Sequence, residues 1–200
     1  MRSILARAAA LALISAVAAA PAAAQSIHLS GLGGIYKPDS DLFDLRDDVT
    51  QGRLSKNDAA AFGLNLEIFG FRGSLVYAPG ATLEEQTSGG ADRDVGESSL
   101  LAVAGDLALR PLPRIIGIQP YALAGVGLKR FGYDITSDGI GNALPEDETE
   151  FAIHFGLGAD FMFGDRFGLV LEATDFFTVG DAEFGRNATF LLAGVRMRVN

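Results

Sequence analysis

Between residues 151 and 163 the chain keeps one pattern without a break. Phe151, Ile153, Phe155, Leu157, Ala159, Phe161 and Phe163 alternate with Ala152, His154, Gly156, Gly158, Asp160 and Met162. A period of two sends successive side chains to opposite faces of an extended strand, so one face here is bulky and apolar and the other small or polar. The alternation returns four times. Phe62, Leu64, Leu66 and Ile68 oppose Gly63, Asn65 and Glu67; Leu101, Val103, Leu107 and Leu109 oppose Ala102, Ala104, Asp106 and Arg110. Phe167, Leu169, Leu171 and Ala173 oppose Gly168, Val170, Glu172 and Thr174; Leu191, Ala193, Val195, Met197 and Val199 oppose Leu192, Gly194, Arg196 and Arg198. Weaker strands are predicted near 26–36 and 71–79. The segment QPYALAGVGLKRF at 119–131 is extended, but its faces are ambiguous: Ala122, Ala124, Val126 and Leu128 outward would leave Tyr121, Gly125 and Gly127 inside. The count is eight strands.

The faces carry the fold prediction. A soluble barrel turns its bulky apolar groups inward, whereas a barrel in lipid turns them outward and tolerates polar groups in its lumen. Seven outward positions in a row without a charge at 151–163 favour lipid on that side. Strands of the predicted length suit a tilted bilayer crossing, which needs about 9–11 residues. The connections, near 37–59, 70, 80–97, 111–118, 132–149, 164–166 and 178–188, alternate long and short. The long ones are acidic or glycine-rich, as in PDSDLFDLRDDV and DITSDGIGNALPEDETE. Long outer loops and tight periplasmic turns are the habit of outer-membrane barrels. The expectation is an all-β, eight-stranded antiparallel up-and-down transmembrane β-barrel. A soluble lipocalin-like barrel, acting as a periplasmic carrier, is the alternative fold.

Residues 1–24 change the compartment. Arg2 and Arg7 precede an apolar run from Ala8 to Ala20, Pro21 breaks it, and Ala22-Ala23-Ala24 supplies the small residues of a cleavage site before Gln25. This is the pattern of a secretory signal peptide, leaving a barrel domain at 25–200. The chain has 16 basic and 25 acidic residues; without Arg2 and Arg7 its charge is −11, which repels nucleic acid. With no cysteine, a disulfide scaffold, a Cys-ligated metal site and thiol catalysis are all excluded.

The candidate chemistry is luminal. Four acids, Glu67, Asp106, Asp160 and Glu172, share the inward face with four bases, Arg72, Arg110, Arg196 and Arg198. Most fall toward the short-turn end. Unpaired charge in a closed lumen is costly, so mutual pairing is expected, as a salt-bridge plug or as a gated ion path. His28 and Ser30 share a strand face, as a hydrolase pair would, but nothing in the sequence places an acid beside His28; the ordinary reading is a polar lumen or rim position. His154 reads as a lumen residue. Asp39, Asp41 and Asp44, and the cluster Glu146, Asp147, Glu148 and Glu150, are weak candidates for Ca²⁺ or Mg²⁺, since neither has the spacing of an EF-hand loop. With no Trp in the chain, interfacial anchoring falls to Tyr36, Tyr77, Phe151, Phe163, Phe167 and Phe177.

The runs GLGADFMFGDRFGLVLEATDFF at 156–177, QPYALAGVGL at 119–128 and FLLAGVRMRVN at 190–200 resemble the small Gram-negative outer-membrane barrels related to OmpW and the OmpA membrane domain. The resemblance implies an eight-stranded barrel in the Gram-negative outer membrane, assembled by the machinery that reads the last strand; the expected partners are outer-membrane lipid and lipopolysaccharide, and the expected state is a monomer. Such barrels usually end in an aromatic residue, whereas Val199-Asn200 closes this sequence. The functional expectation is a non-enzymatic envelope protein or a narrow channel for small or apolar solutes, with no cofactor. The rival of another class is a lipid-modifying esterase of the lipid A deacylase kind.

Overall fold

A computed structural model of the protein describes residues 27–38, 43–47, 50–87, 93–135, 148–179 and 187–199. The signal peptide expected at 1–24 lies outside them. Among the described residues the strands are β1 (Ile27–Pro38), β2 (Phe43–Asp47), β3 (Thr50–Lys56), β4 (Ala59–Ile68), β5 (Phe71–Thr87), β6 (Arg93–Leu109), β7 (Ile118–Ile135), β8 (Glu148–Phe163), β9 (Phe167–Thr178) and β10 (Asn187–Arg198). The ring β4-β1-β10-β9-β8-β7-β6-β5 closes through the pairing of β5 with β4, and every neighbour is antiparallel. Eight strands therefore make an up-and-down barrel with no open edge.

β2 and β3 are additional. β3 and β4 both pair with β5, on either side of an interruption at Asn57 and Asp58, and β2 folds back on β3. Sequence alternation places this stretch in the long connection 37–59. The other long connections are shorter than expected too: β5 reaches Thr87, β6 begins at Arg93, β7 reaches Ile135 and β8 begins at Glu148. Backbone pairing needs no hydrophobic alternation, so a registered hairpin propagates into acidic sequence that carries no strand signal. A crossing uses about 9–11 residues, and β5, β6 and β7 hold 17, 17 and 18. Their upper ends thus stand clear of the apolar belt. A bulge between Ala78 and Ala81, at Pro79 and Gly80, marks the change on β5.

Burial follows the predicted alternation with its sides inverted relative to a soluble protein. On β4, Ala59, Ala61, Asn65 and Glu67 are buried while Phe62, Leu64 and Leu66 are exposed. Phe151, Ile153, Phe155 and Leu157 of β8 and Leu169 and Leu171 of β9 likewise face outward. On β7 Tyr121, Leu123, Lys129 and Phe131 are buried and Ala124, Val126 and Leu128 exposed, which gives that strand its faces. One expected belt residue is not there. Tyr36 lies inside, stacked on Phe190 at 5.1 Å, because the glycine-rich β1 has no firm parity and Ile35 takes the outward place.

The interior is layered. In the half toward the long connections it is an apolar core that includes Tyr36, Leu83, Leu100, Phe131, Phe176 and Phe190. Phe176 meets Phe190 edge-on at 5.9 Å and stacks on His154 at 4.2 Å. The half toward the short turns holds most of the buried charges.

Candidate functional site in the barrel lumen

Glu67, Asp160 and Arg196 enter the lumen close to the short-turn ends of β4, β8 and β10, and Arg110 directly follows β6. Arg110 lies 2.8 Å from Glu67 and 3.4 Å from Asp160; Arg196 lies 3.0 Å from each of the same two carboxylates. In the ring order every contact in this square skips one strand, joining β4 to β6, β6 to β8, β8 to β10 and β10 to β4. The four run downward toward the same mouth, so the alternate strands deliver their charges to one level. Sign alternates around the square, and two acids meet two bases.

A second layer lies above it. Arg72 of β5 grips Glu172 of β9 through two contacts of 2.6 and 2.5 Å. Such a fork is the strongest geometry an arginine and a carboxylate can make. Tyr121 donates its hydroxyl to Glu172, and Asn65 donates to it at 3.4 Å. The Tyr121 ring occupies the space over Gly158, where any Cβ would collide with it. Arg72 also donates to Ser74 at 3.1 Å, Ser74 donates to Asp106 at 3.0 Å, and Asp106 meets His154 Nδ1 at 2.6 Å. A third pair sits in the apolar half: Lys129 lies 3.3 Å from Glu150, which accepts from Thr178 at 2.5 Å.

Seven of the eight luminal candidates therefore meet in two connected layers. The eighth, Arg198, is half-buried at the rim, its Nε without a hydrogen-bond partner among the described residues. Lys129 and Glu150 are luminal residues that the sequence does not single out as such. Glu150 closes an acidic cluster, yet it lies one residue ahead of the run 151–163 and on its inward parity, and Lys129 has the parity of Gly125 and Gly127. Asp39 and Asp41 lie outside the described residues, as do Glu146 and Asp147; of Asp44 only its place in β2, in register with Arg53, is described.

Two arrangements bear on hydrolysis. Against expectation an acid does stand beside His28: the β1–β4 register sets it opposite Glu67. Cross-strand register cannot be read from one strand's residues. Yet Glu67 is engaged by Arg110 and Arg196, and His28 Nδ1 has no hydrogen-bond partner among the described residues. In a triad that nitrogen must donate to the carboxylate. Ser74, Asp106 and His154 do touch, but the aspartate stands in the middle, so the imidazole cannot take the hydroxyl proton.

Comparison with known proteins agrees with this architecture. No curated protein sequence matches significantly. Among solved structures the chain is similar to the outer-membrane protein OprG of Pseudomonas aeruginosa, with a TM-score of 0.57 and 18% identity over 88% of this chain and 93% of that one. It also aligns with the N-terminal β-barrel domain of Pseudomonas aeruginosa OprF, at a TM-score of 0.49 and 13% identity over 86% and 96% of the two chains. The profile of the outer membrane protein beta-barrel domain matches residues 9–196. An inverted barrel with outward hydrocarbon and inward charge, matched by that profile over nearly its whole length, belongs to the outer membrane protein beta-barrel domain family.

Proposed function

We propose that this protein is a sealed, non-enzymatic structural barrel of the outer membrane. The reading rests on one observation: the square of Glu67, Arg110, Asp160 and Arg196 spans the short-turn mouth, with the Arg72–Glu172 fork and then the aromatic core stacked above it. An ion crossing this lumen would have to break through both charge layers and then traverse apolar side chains. Eight strands leave an interior that side chains fill. Residues 1–24 serve as the export signal in this reading, and the barrel works as a monomer in contact with lipid and lipopolysaccharide. Its last strand, with outward Leu191, Val195 and Met197, is what the assembly machinery engages.

The test is a planar-bilayer recording of the purified, refolded protein. The expected trace stays at baseline; a steady ohmic conductance from the wild-type barrel overturns the sealed reading. The apolar lining of the long-connection half supports a second reading, passage of small apolar solutes, which predicts uptake by proteoliposomes faster than by protein-free vesicles. The esterase reading predicts that Ser30→Ala changes the lipid A profile of cells; the proposal predicts that it does not.

A further inference from the structure

Two turns at the short-turn end have a backbone that their residues disfavour. Among the described residues, two non-glycines have positive φ: Phe69 at 55° and Ile116 at 50°. Each is followed by a glycine, Gly70 at 82° and Gly117 at 81°. Each dipeptide closes a two-residue hairpin, between the paired residues Ile68 and Phe71 and between Ile115 and Ile118. Consecutive positive φ values mark the type I′ turn, whose first position strongly prefers Asn, Asp or Gly. A bulky aromatic and a β-branched residue are among the worst occupants, since their Cβ crowds the carbonyl. Neither side chain is repaid by packing on the barrel: Phe69 is 59% exposed and Ile116 95%.

Such conformations persist where the surroundings over-determine them, and here each short turn is tied down. Gly70 O accepts from Ala108 N at 2.8 Å, Gly117 O from Met162 N at 3.3 Å, and Arg166 O from Arg198 N at 2.8 Å. In each case the turn is held by the strand beside its own hairpin, so all three are tied to the barrel wall. They carry more exposed apolar groups: Leu112, Ile115, Phe163 and Phe167. The exposed charges of these turns are Arg114, Arg166 and Asp165, a net positive set. At the other end the exposed charges include Asp58, Asp94, Glu97 and Asp134.

We propose that the short-turn rim is a phospholipid-binding ring, sunk into the headgroup boundary of the periplasmic leaflet instead of projecting into water. Phe69 and Ile116 insert among the upper acyl segments, and Arg114 and Arg166 take phosphate oxygens. Two features select a lipid surface over a protein partner. The apolar groups occur on all three turns around the circumference, which suits a plane and not a one-sided footprint. The basic excess complements phosphate, and aromatic and apolar groups favour that boundary.

The absence of Trp makes a clean test possible. Phe69→Trp and Ile116→Trp are refolded separately into phosphatidylcholine–phosphatidylglycerol vesicles, with Asp94→Trp at the opposite end as the reference. Should the positive-φ positions not accept Trp, Leu112→Trp reports on the same rim without that constraint; heat-dependent gel mobility verifies folding of each. The expected result is blue-shifted rim emission, quenched by lipids brominated near the headgroup and protected from aqueous iodide, while Asp94→Trp behaves oppositely. Rim emission at the water-exposed wavelength, open to iodide and indifferent to bromine, overturns the proposal and leaves the rim to a protein partner.

Discussion

Arg72 and Glu172 sit on strands that are four places apart in either direction around the eight-membered ring, so their paired contacts of 2.6 and 2.5 Å span the full diameter of the barrel. Both side chains are almost wholly shielded, at 3% and 1% exposure. A wall pairing fixes one strand against the next; this contact fixes two opposite walls. The square beneath it does the same for alternate strands. Together they set the cross-section of a cylinder whose hydrocarbon neighbours offer its wall no directional contacts.

Breaking that fork leaves a buried charge with only neutral donors. Arg72→Met abandons Glu172 to Tyr121 and Asn65, and removing one partner of a buried pair costs about 3–5 kcal/mol. The double change Arg72→Met with Glu172→Leu removes both charges and returns most of that loss. Urea unfolding in micelles reads the difference as a midpoint shift at constant slope. Equal losses in the single and double variants would show that the charges themselves, and not their mutual pairing, hold the walls.

Tyr121 and Gly158 should prove energetically coupled. A side chain at 158 runs into the Tyr121 ring, so Gly158→Val overpacks the lumen and costs about 1–3 kcal/mol. Tyr121→Phe removes the hydroxyl donor to Glu172 and costs about 1–3 kcal/mol, since one buried acceptor loses a partner. Tyr121→Ala clears the space, so adding Gly158→Val to it costs much less than adding it to the wild type. A double-mutant cycle on unfolding midpoints measures the coupling, and simple additivity would mean that the ring moves aside freely.

The sequence revealed the barrel because lipid imposes a simple rule on each strand separately: every second residue of a crossing must be apolar. Phe151, Phe155 and Leu157 obey that rule with no reference to any neighbour. The lumen follows no rule so local. That Glu67, Asp106 and Glu172 point inward was legible by parity, but which base each would meet depends on register and on the stagger of closure. Hence Arg72 reaches across the whole diameter while Glu67, directly opposite it on β4, turns to Arg110 and Arg196 instead. Glu150 was obscured by the acids before it, and the strand extensions by the lack of any side-chain signal in them. The strained turns were illegible for a different reason. Phe69-Gly70 and Ile116-Gly117 are poor type I′ sequences, and only the fixed register of the flanking strands forces the geometry on them.

That strain is measurable on its own. Asn accepts the left-handed region where Phe and Ile do not, a difference of roughly 1–2 kcal/mol per residue. Phe69→Asn and Ile116→Asn are expected to raise stability in detergent micelles by about 1 kcal/mol each. If the rim lies in lipid, the gain shrinks in phospholipid vesicles, where the lost apolar contact offsets it. No gain in micelles would mean that the turn geometry costs these residues little.

Leu157 tests the inversion on which the whole assignment rests. It is central in the apolar run of β8 and 69% exposed, a combination that a soluble barrel would welcome as a place for charge. In a bilayer the same position faces mid-depth hydrocarbon. Leu157→Arg should then cost about 2–4 kcal/mol, whereas the same change at a boundary position such as Phe163 should cost about 0–1 kcal/mol. The gradient, more than either value, is the signature: two outward residues of one strand, alike in exposure and differing in depth. Unfolding equilibria in phospholipid vesicles supply both numbers. Were Leu157→Arg as mild as Phe163→Arg, hydrocarbon would not surround this strand, and the apolar face would need another owner. A steep difference ties the exposed Phe and Leu rows to lipid, and leaves burial in the lumen as the only refuge for Asp160 on the same strand.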